Sequence, residues 1–153
     1  MTTTVIAPVP GRAMSLGDVP DPVFAQGMVG YGAAIDPPRE VITAVAPVGG
    51  RLLKLMPHAF VVLTADNVGV LVHLGLDTVA LDGQGFTTLL QQGEQVRAGQ
   101  PVTTFDVPAI VAKGLDPVVP VVVMDEREPG NISVTAALGA PIASGGELFV
   151  AQR

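Results

Sequence analysis

Apolar residues fall in short runs separated by glycine, proline and aspartate, and no run holds a helical period for long. Ala59 to Thr64 is apolar and rich in Val and Phe, Ala65-Asp66-Asn67-Val68-Gly69 supplies turn residues that tolerate left-handed backbone, and Val70 to Leu76 is a second extended apolar run. This predicts a β-hairpin. Val5–Val9 is a strand ending in a Pro10-Gly11 turn, and Ala33–Asp36 and Val41–Val45 are strands joined by the Pro37–Glu40 turn. Asp18–Pro22 reads as a loop, and Val23–Val29 has no clean period. Asp82–Gly85 is a polar turn. Phe86–Gln92 predicts a short helix ended by Gly93, and Ala109–Lys113 a helical turn between Pro108 and Gly114. Val118–Met124 is a dense β-branched strand which Pro120 assigns to an edge or bulge. Asp125–Gly130 reads as a solvated loop, and strands near Ile132–Thr135, Pro141–Ala143 and Glu147–Val150 close the domain. The segments APVPGR and APVGGR, thirty-nine residues apart, form a short internal echo that either marks two related β motifs or is common strand-to-turn chemistry. Many short strands with Gly/Pro turns predict an all-β antiparallel sandwich or barrel, in one domain over residues 1–153.

Composition narrows the function classes. The net charge of −6 with eight Lys plus Arg leaves no basic patch for nucleic acid, and an acidic surface suits a basic protein partner. The absence of cysteine excludes thiol chemistry and a disulfide framework. No apolar run approaches the ~20 residues of a membrane helix, and the start lacks a basic leader, so a cytoplasmic protein without direct membrane insertion is expected. No Gly-rich loop with Lys-Ser or Lys-Thr is present to cradle a nucleotide phosphate.

Both histidines of the chain, His58 and His73, flank the predicted hairpin, and Asp77 follows His73 by four residues. Taken singly, His58 reads as a solvent-facing loop residue and His73 as a core histidine satisfied by a backbone carbonyl. Together with Asp77 they offer a nucleophilic imidazole, a second imidazole to stabilise charge and a carboxylate to orient either. Whether the rings share a face depends on register. With His73 opposite Phe60 they are same-face diagonal neighbours; a shift of one residue puts them on opposite faces.

His73-Leu74-Gly75-Leu76-Asp77-Thr78-Val79 resembles the H-x-G-[IL]-D-T-V signature of glucose-type enzyme IIA of the phosphoenolpyruvate-dependent sugar phosphotransferase system. Pro57-His58-Ala59-Phe60 is similar to that family's N-H-A-F segment, and Asp18–Ala25 with Met28–Gly32 to its D-V-P-D-x-V-F-A…x-V-G-x-G stretch. Ala44–Gly50, Gly83–Phe86 and Gly93–Gly99 match further pieces, so the resemblance runs in order from about Val5 to Val150. It implies a duplicated β-sandwich with its site in a shallow depression on one face. It implies that His73 receives a phosphoryl group from the histidine-containing phosphocarrier protein and passes it to a cysteine of the enzyme IIB domain of a membrane sugar permease. His58 is implied to stabilise the phosphoryl group, Asp21 and Asp77 to meet an arginine of the carrier, and Val23, Phe24 and Leu71 to form an exposed apolar collar for partners. No cofactor is implied, and no metal is expected beyond incidental zinc at His58 and His73.

Met56-Pro57 stands where the family has Thr-Asn, so the hydroxyl that would fix His58 is replaced by something else, such as a backbone carbonyl. Gln26 stands where an acidic residue is frequent. One alternative reading is a regulatory protein whose partners, including further regulatory targets, change with His73 phosphorylation. Another is a carrier of the biotinyl or lipoyl type, which shares the Gly93–Val102 turn pattern. Such a carrier needs a lysine at a hairpin tip, and neither Lys54 nor Lys113 has the required setting.

Overall fold

The computed structural model, described for residues 2–152, is built almost wholly from short antiparallel strands. The first half holds β1 (Thr2–Ile6), β2 (Gly11–Ser15), the one-turn helix α1 (Pro22–Ala25), β3 (Gly30–Asp36), β4 (Val41–Val45), β5 (Gly50–Met56), β6 (Ala59–Leu63) and β7 (Gly69–His73). The second holds β8 (Phe86–Thr88), β9 (Gln95–Val96), β10 (Pro101–Asp106), helix α2 (Val107–Ala112), β11 (Val119–Met124), β12 (Ile132–Val134), β13 (Pro141–Ile142) and β14 (Glu147–Gln152). Among the described residues no helix is long and apolar enough to cross a membrane.

The strand order exposes a duplication. An eight-stranded sheet runs β13-β2-β3-β11-β7-β6-β5-β9, and two three-stranded sheets run β1-β14-β12 and β4-β10-β8. Replacing β1, β2, β3, β11, β12, β13 and β14 in turn by β4 to β10 reads the large sheet backwards and converts one small sheet into the other. The second motif is thus a continuous stretch inserted into the first. The APVPGR/APVGGR echo is the sequence trace of this symmetry. Each copy accepts from the residue just before the other, Ile6 N–H donating to Pro47 O (3.0 Å) and Val45 N–H to Pro8 O (2.8 Å). The glycine of each copy permits a close backbone approach: a side chain at Gly11 would meet Asp36 O at 2.1 Å, and one at Gly50 would meet Leu63 O at 2.2 Å.

The hairpin of β6 and β7 lies at the centre of the large sheet and is covered on both faces. Phe60, Val62, Val70 and Val72 join the main core with Phe105 and Phe149. Their alternates Ala59, Val61 and Leu71 pack with Leu16, Val19, Phe24 and Val122 in a second cluster. Burial on both faces explains why these strands read as continuous apolar runs rather than as alternation.

Two expectations are corrected. Phe86–Gln92 is not a helix: Phe86, Thr87 and Thr88 form β8, paired with Phe105, Thr104 and Thr103 of β10. Phe86 stacks on Phe105 at 5.4 Å between centroids, so cross-strand packing of an aromatic and two β-branched residues overrides the helical pattern. Nor is β11 an edge strand, since it lies between β3 and β7. Pro120 is tolerated there because the ladder with β7 begins only at Val121, one residue beyond the missing N–H.

Candidate functional site

The site is assembled where β7 ends. Gly75 and Asp77 take positive φ (84° and 59°), which stops the strand at His73 and turns the chain across the sheet end. The new path is pinned by its amides: Leu74 N–H donates to His58 O (2.7 Å), Gly75 N–H to Val118 O (3.1 Å) and Leu76 N–H to Asp116 O (2.8 Å).

The observed register sets Ala59 opposite His73 and Phe60 opposite Val72. This is one residue away from the pairing that puts both imidazoles on one face of the pleat, yet the rings meet edge-on with centroids 5.2 Å apart. The reason is that His58 does not sit on the pleat. Met56 pairs with Ala59, leaving Pro57 and His58 as the two loop residues of a tight turn between β5 and β6. Alternation ends at the turn, and the His58 ring is free to reach the His73 face. Pro57 pre-sets φ for the first of these loop positions.

His73 also packs against Phe24, with ring centroids 5.2 Å apart. Helix α1 delivers Phe24, and Asp21 starts that helix: its carboxylate accepts from Val23 N–H at 2.9 Å, with Pro22 in the first turn. The half-buried His73 places Nδ1 2.6 Å from Gly75 O. A carbonyl only accepts, so Nδ1 carries the proton and Nε2 of the neutral ring keeps its lone pair. Burial pushes the pKa of His73 below 6.5, opposed by the Gly75 hydrogen bond and by the negative charges of Asp21 and Asp77. For His58, burial and then repulsion from His73 act in the same downward direction. Both rings are thereby biased toward the neutral form at pH 7. Such a pair can offer a nucleophilic nitrogen and, beside it, a second polar ring to receive developing charge.

The expected apolar collar is corrected. Val23 is 44% exposed, but Phe24 and Leu71 are only 6% and 8% exposed, members of the second core cluster. Their burial follows from position, because Leu71 is central on β7 and Phe24 lies beneath the His73 ring. Beside Val23, exposed apolar side chains here include Met28 and Met56, neither of which was assigned to the collar from the sequence. Met28 donates its N–H to Val23 O, and Met56 is the cross-strand partner of Ala59. The sequence signal for Met56 was its place directly before the Pro57-His58 turn. Also missed was the Gly75 carbonyl, whose only signal was its fixed spacing after His73. Asp77 is exposed, and among the described residues no group of three or more His, Cys, Asp or Glu is placed to hold a metal ion.

Two imidazoles in contact at one end of a duplicated antiparallel β-sandwich thus frame the candidate site. Residues 3–128 match the family described as phosphoenolpyruvate-dependent sugar phosphotransferase system, EIIA 1. The chain is 39% identical over 137 residues to the PTS system glucose-specific EIIA component of Oceanobacillus iheyensis, covering 86% of this chain and 82% of that one. It is 41% identical over 128 residues to the PTS system mannose-specific EIIBCA component of Corynebacterium glutamicum, covering 84% of this chain but 19% of that longer protein. The solved structure of glucose permease IIA from Mycoplasma capricolum superposes with a TM-score of 0.86 at 32% identity, covering 98% of this chain and 96% of that one. The chain belongs to the EIIA 1 family of the phosphoenolpyruvate-dependent sugar phosphotransferase system, and is a phosphoryl-carrying component of that system.

Proposed function

We propose that His73 accepts the phosphoryl group through Nε2, taking it from the histidine-containing phosphocarrier protein and yielding it to a cysteine on the enzyme IIB domain of a sugar permease. The observation that carries this reading is the 2.6 Å contact of His73 Nδ1 with Gly75 O, which leaves Nε2 as the basic nitrogen. In the first step the N–P bond to the carrier breaks as the Nε2–P bond forms, and in the second the cysteine thiolate forms an S–P bond as the Nε2–P bond breaks and returns its electron pair to Nε2. Attack draws electron density from the ring, so the Nδ1–H becomes more acidic and the ring more positive. Gly75 O, Asp21 and Asp77, the groups that favour the charged ring, stabilise it at that moment. His58 stabilises the phosphoryl oxygens as they transfer, since phosphoryl transfer depends mainly on positioning and charge.

Asp21 and Asp77, with the exposed Val23, form the rim that meets the carrier. Their charge, in a chain of net −6, suits a basic partner. Support for a IIB acceptor comes from the Corynebacterium relative, whose name joins components B, C and A in one chain. On this reading residues 1–153 act as one EIIA domain on the cytoplasmic side of the permease.

The test is uptake of label from phosphoenolpyruvate with enzyme I and the carrier present, followed by a chase to a IIB domain. His73→Gln should take up none. His58→Gln should still be labelled but release the group ~10²–10³ more slowly, the effect of losing one preorganised charge-stabilising contact. Acid-labile, base-stable label on His73→Gln, with none on His58→Gln, would transfer the acceptor role to His58.

A further inference from the structure

Among the described residues around His73, one buried polar side chain is tied into the backbone that sets its tautomer. Thr78 is fully buried, and its hydroxyl donates to Leu74 O at 2.8 Å. That bond closes residues 74–78 into a clasp that contains Gly75, the residue that accepts from His73 Nδ1. The threonine methyl is used as well, since a side chain at Gly75 would come within 2.7 Å of Thr78 Cγ2. The methyl therefore forms the floor under Gly75, while the hydroxyl holds the carbonyl of the residue before it. The amides of Leu74, Gly75 and Leu76 are held from outside the clasp, by His58 O, Val118 O and Asp116 O. Thr78 supplies the restraint on the carbonyl side.

Resting on the reading of His73 as acceptor, we infer that Thr78 is a positioning residue for phosphoryl acceptance: its hydroxyl fixes the 74–78 turn so that Gly75 O faces His73 Nδ1, keeping the proton there and the lone pair on Nε2. Substituting the hydroxyl by a methyl leaves Leu74 O buried without its partner, a defect relieved by rotating the peptide planes of the turn. Rotation takes the Gly75 carbonyl away from the ring, and the neutral imidazole then redistributes its proton between the two nitrogens.

The experiment compares Thr78→Val, which preserves shape and loses the hydroxyl, with Thr78→Ser, which preserves the hydroxyl and loses the methyl. Imidazole ¹⁵N chemical shifts of the unphosphorylated protein report the His73 tautomer without any transfer partner. The initial rate of label uptake from the phosphorylated carrier reports the consequence. Thr78→Val should move His73 from nearly pure Nδ1–H toward a mixed tautomer and slow acceptance about tenfold, while Thr78→Ser restores both within about a factor of two. An unchanged tautomer in Thr78→Val overturns the inference whatever the rate does. So does a Thr78→Ser protein as impaired as Thr78→Val, which would mean the methyl packing alone matters. If Thr78→Val fails to fold, a mixed tautomer or a tenfold loss in a folded Thr78→Ser overturns it too, because that variant retains the hydroxyl. Failure of the acceptor reading is seen separately, as label on His73→Gln.

Discussion

Replacing Gly75 by alanine should damage the turn far more than the same change at another left-handed glycine. Gly75 has φ +84°, and Gly93 has φ +98° with nothing within 4 Å of an added methyl. An L-residue in this region costs about 1–2 kcal/mol, of which the lower unfolded-state entropy of alanine returns roughly 0.4–1 kcal/mol. Gly93→Ala should therefore destabilise by ~1 kcal/mol. At Gly75 the methyl would also lie 2.7 Å from Thr78 Cγ2 and 3.3 Å from Asp116 O. Carbon atoms rest at ~3.5–4.0 Å, and overpacking of this kind costs about 1–3 kcal/mol. Thr78 has no exposed surface to move into, so the overlap is not relieved by a swing toward solvent. The total for Gly75→Ala is ~2–4 kcal/mol, read as the difference in urea midpoints at constant m between the two variants and the parent. The displaced carbonyl should weaken the bond to His73 Nδ1, so His73 ¹⁵N shifts should change in Gly75→Ala and stay fixed in Gly93→Ala. Equal destabilisation of the two within ~0.5 kcal/mol would refute the argument, since it would mean the turn absorbs a methyl freely.

Two further outcomes follow from the site electrostatics. Both histidines are harder to protonate in the folded state, so the unfolded chain takes up protons first as pH falls; the stability tied to them is intact above 6.5 and lost below it, through the lowered folded values. The His58→Gln/His73→Gln double variant should lose less stability than the parent between about pH 7.5 and about pH 5.5 by denaturant titration, and parallel losses would count against the lowered values. Asp21→Asn or Asp77→Asn removes a charge that favours the His73 imidazolium, so its NMR titration midpoint should move further down. Asn still caps α1 at position 21, and a midpoint that rises or stays put in both variants would sink the assignment of these carboxylates.

Side-chain pattern made the architecture readable and left the site geometry open. The Ala65–Gly69 turn, the Val/Ile-rich runs and the APVPGR/APVGGR echo are local signals, and each specified a feature found in the fold. Phe86–Gln92 failed because a three-residue strand is decided by its partner β10, which is distant in sequence. Pro120 misled because a proline penalty depends on where the neighbouring ladder starts, and the β11–β7 ladder stops one residue short of it, at Val121. Phe24 and Leu71 were assigned to an exposed collar by the family resemblance, and local pattern offered no check, because a strand or turn buried on both faces carries no period from which to tell outside from inside.

The two histidines show most clearly what local pattern cannot reach. Alternation applied to the observed register separates the rings, but the rings touch because His58 belongs to a turn, where alternation has no meaning. Nor does any side chain in the sequence announce which nitrogen of His73 is free. That is set by a backbone carbonyl at Gly75, presented by a left-handed residue and restrained by a buried threonine hydroxyl. A backbone acceptor suits this task better than a carboxylate in contact with the ring. An ionised partner on Nδ1 would pull the pKa upward by a full charge and favour the protonated, non-nucleophilic imidazole. The carbonyl fixes the tautomer with a dipole alone, while Asp21 and Asp77 add charge without a direct hydrogen bond to His73. The ring is thus kept neutral for attack and still supported as positive charge develops.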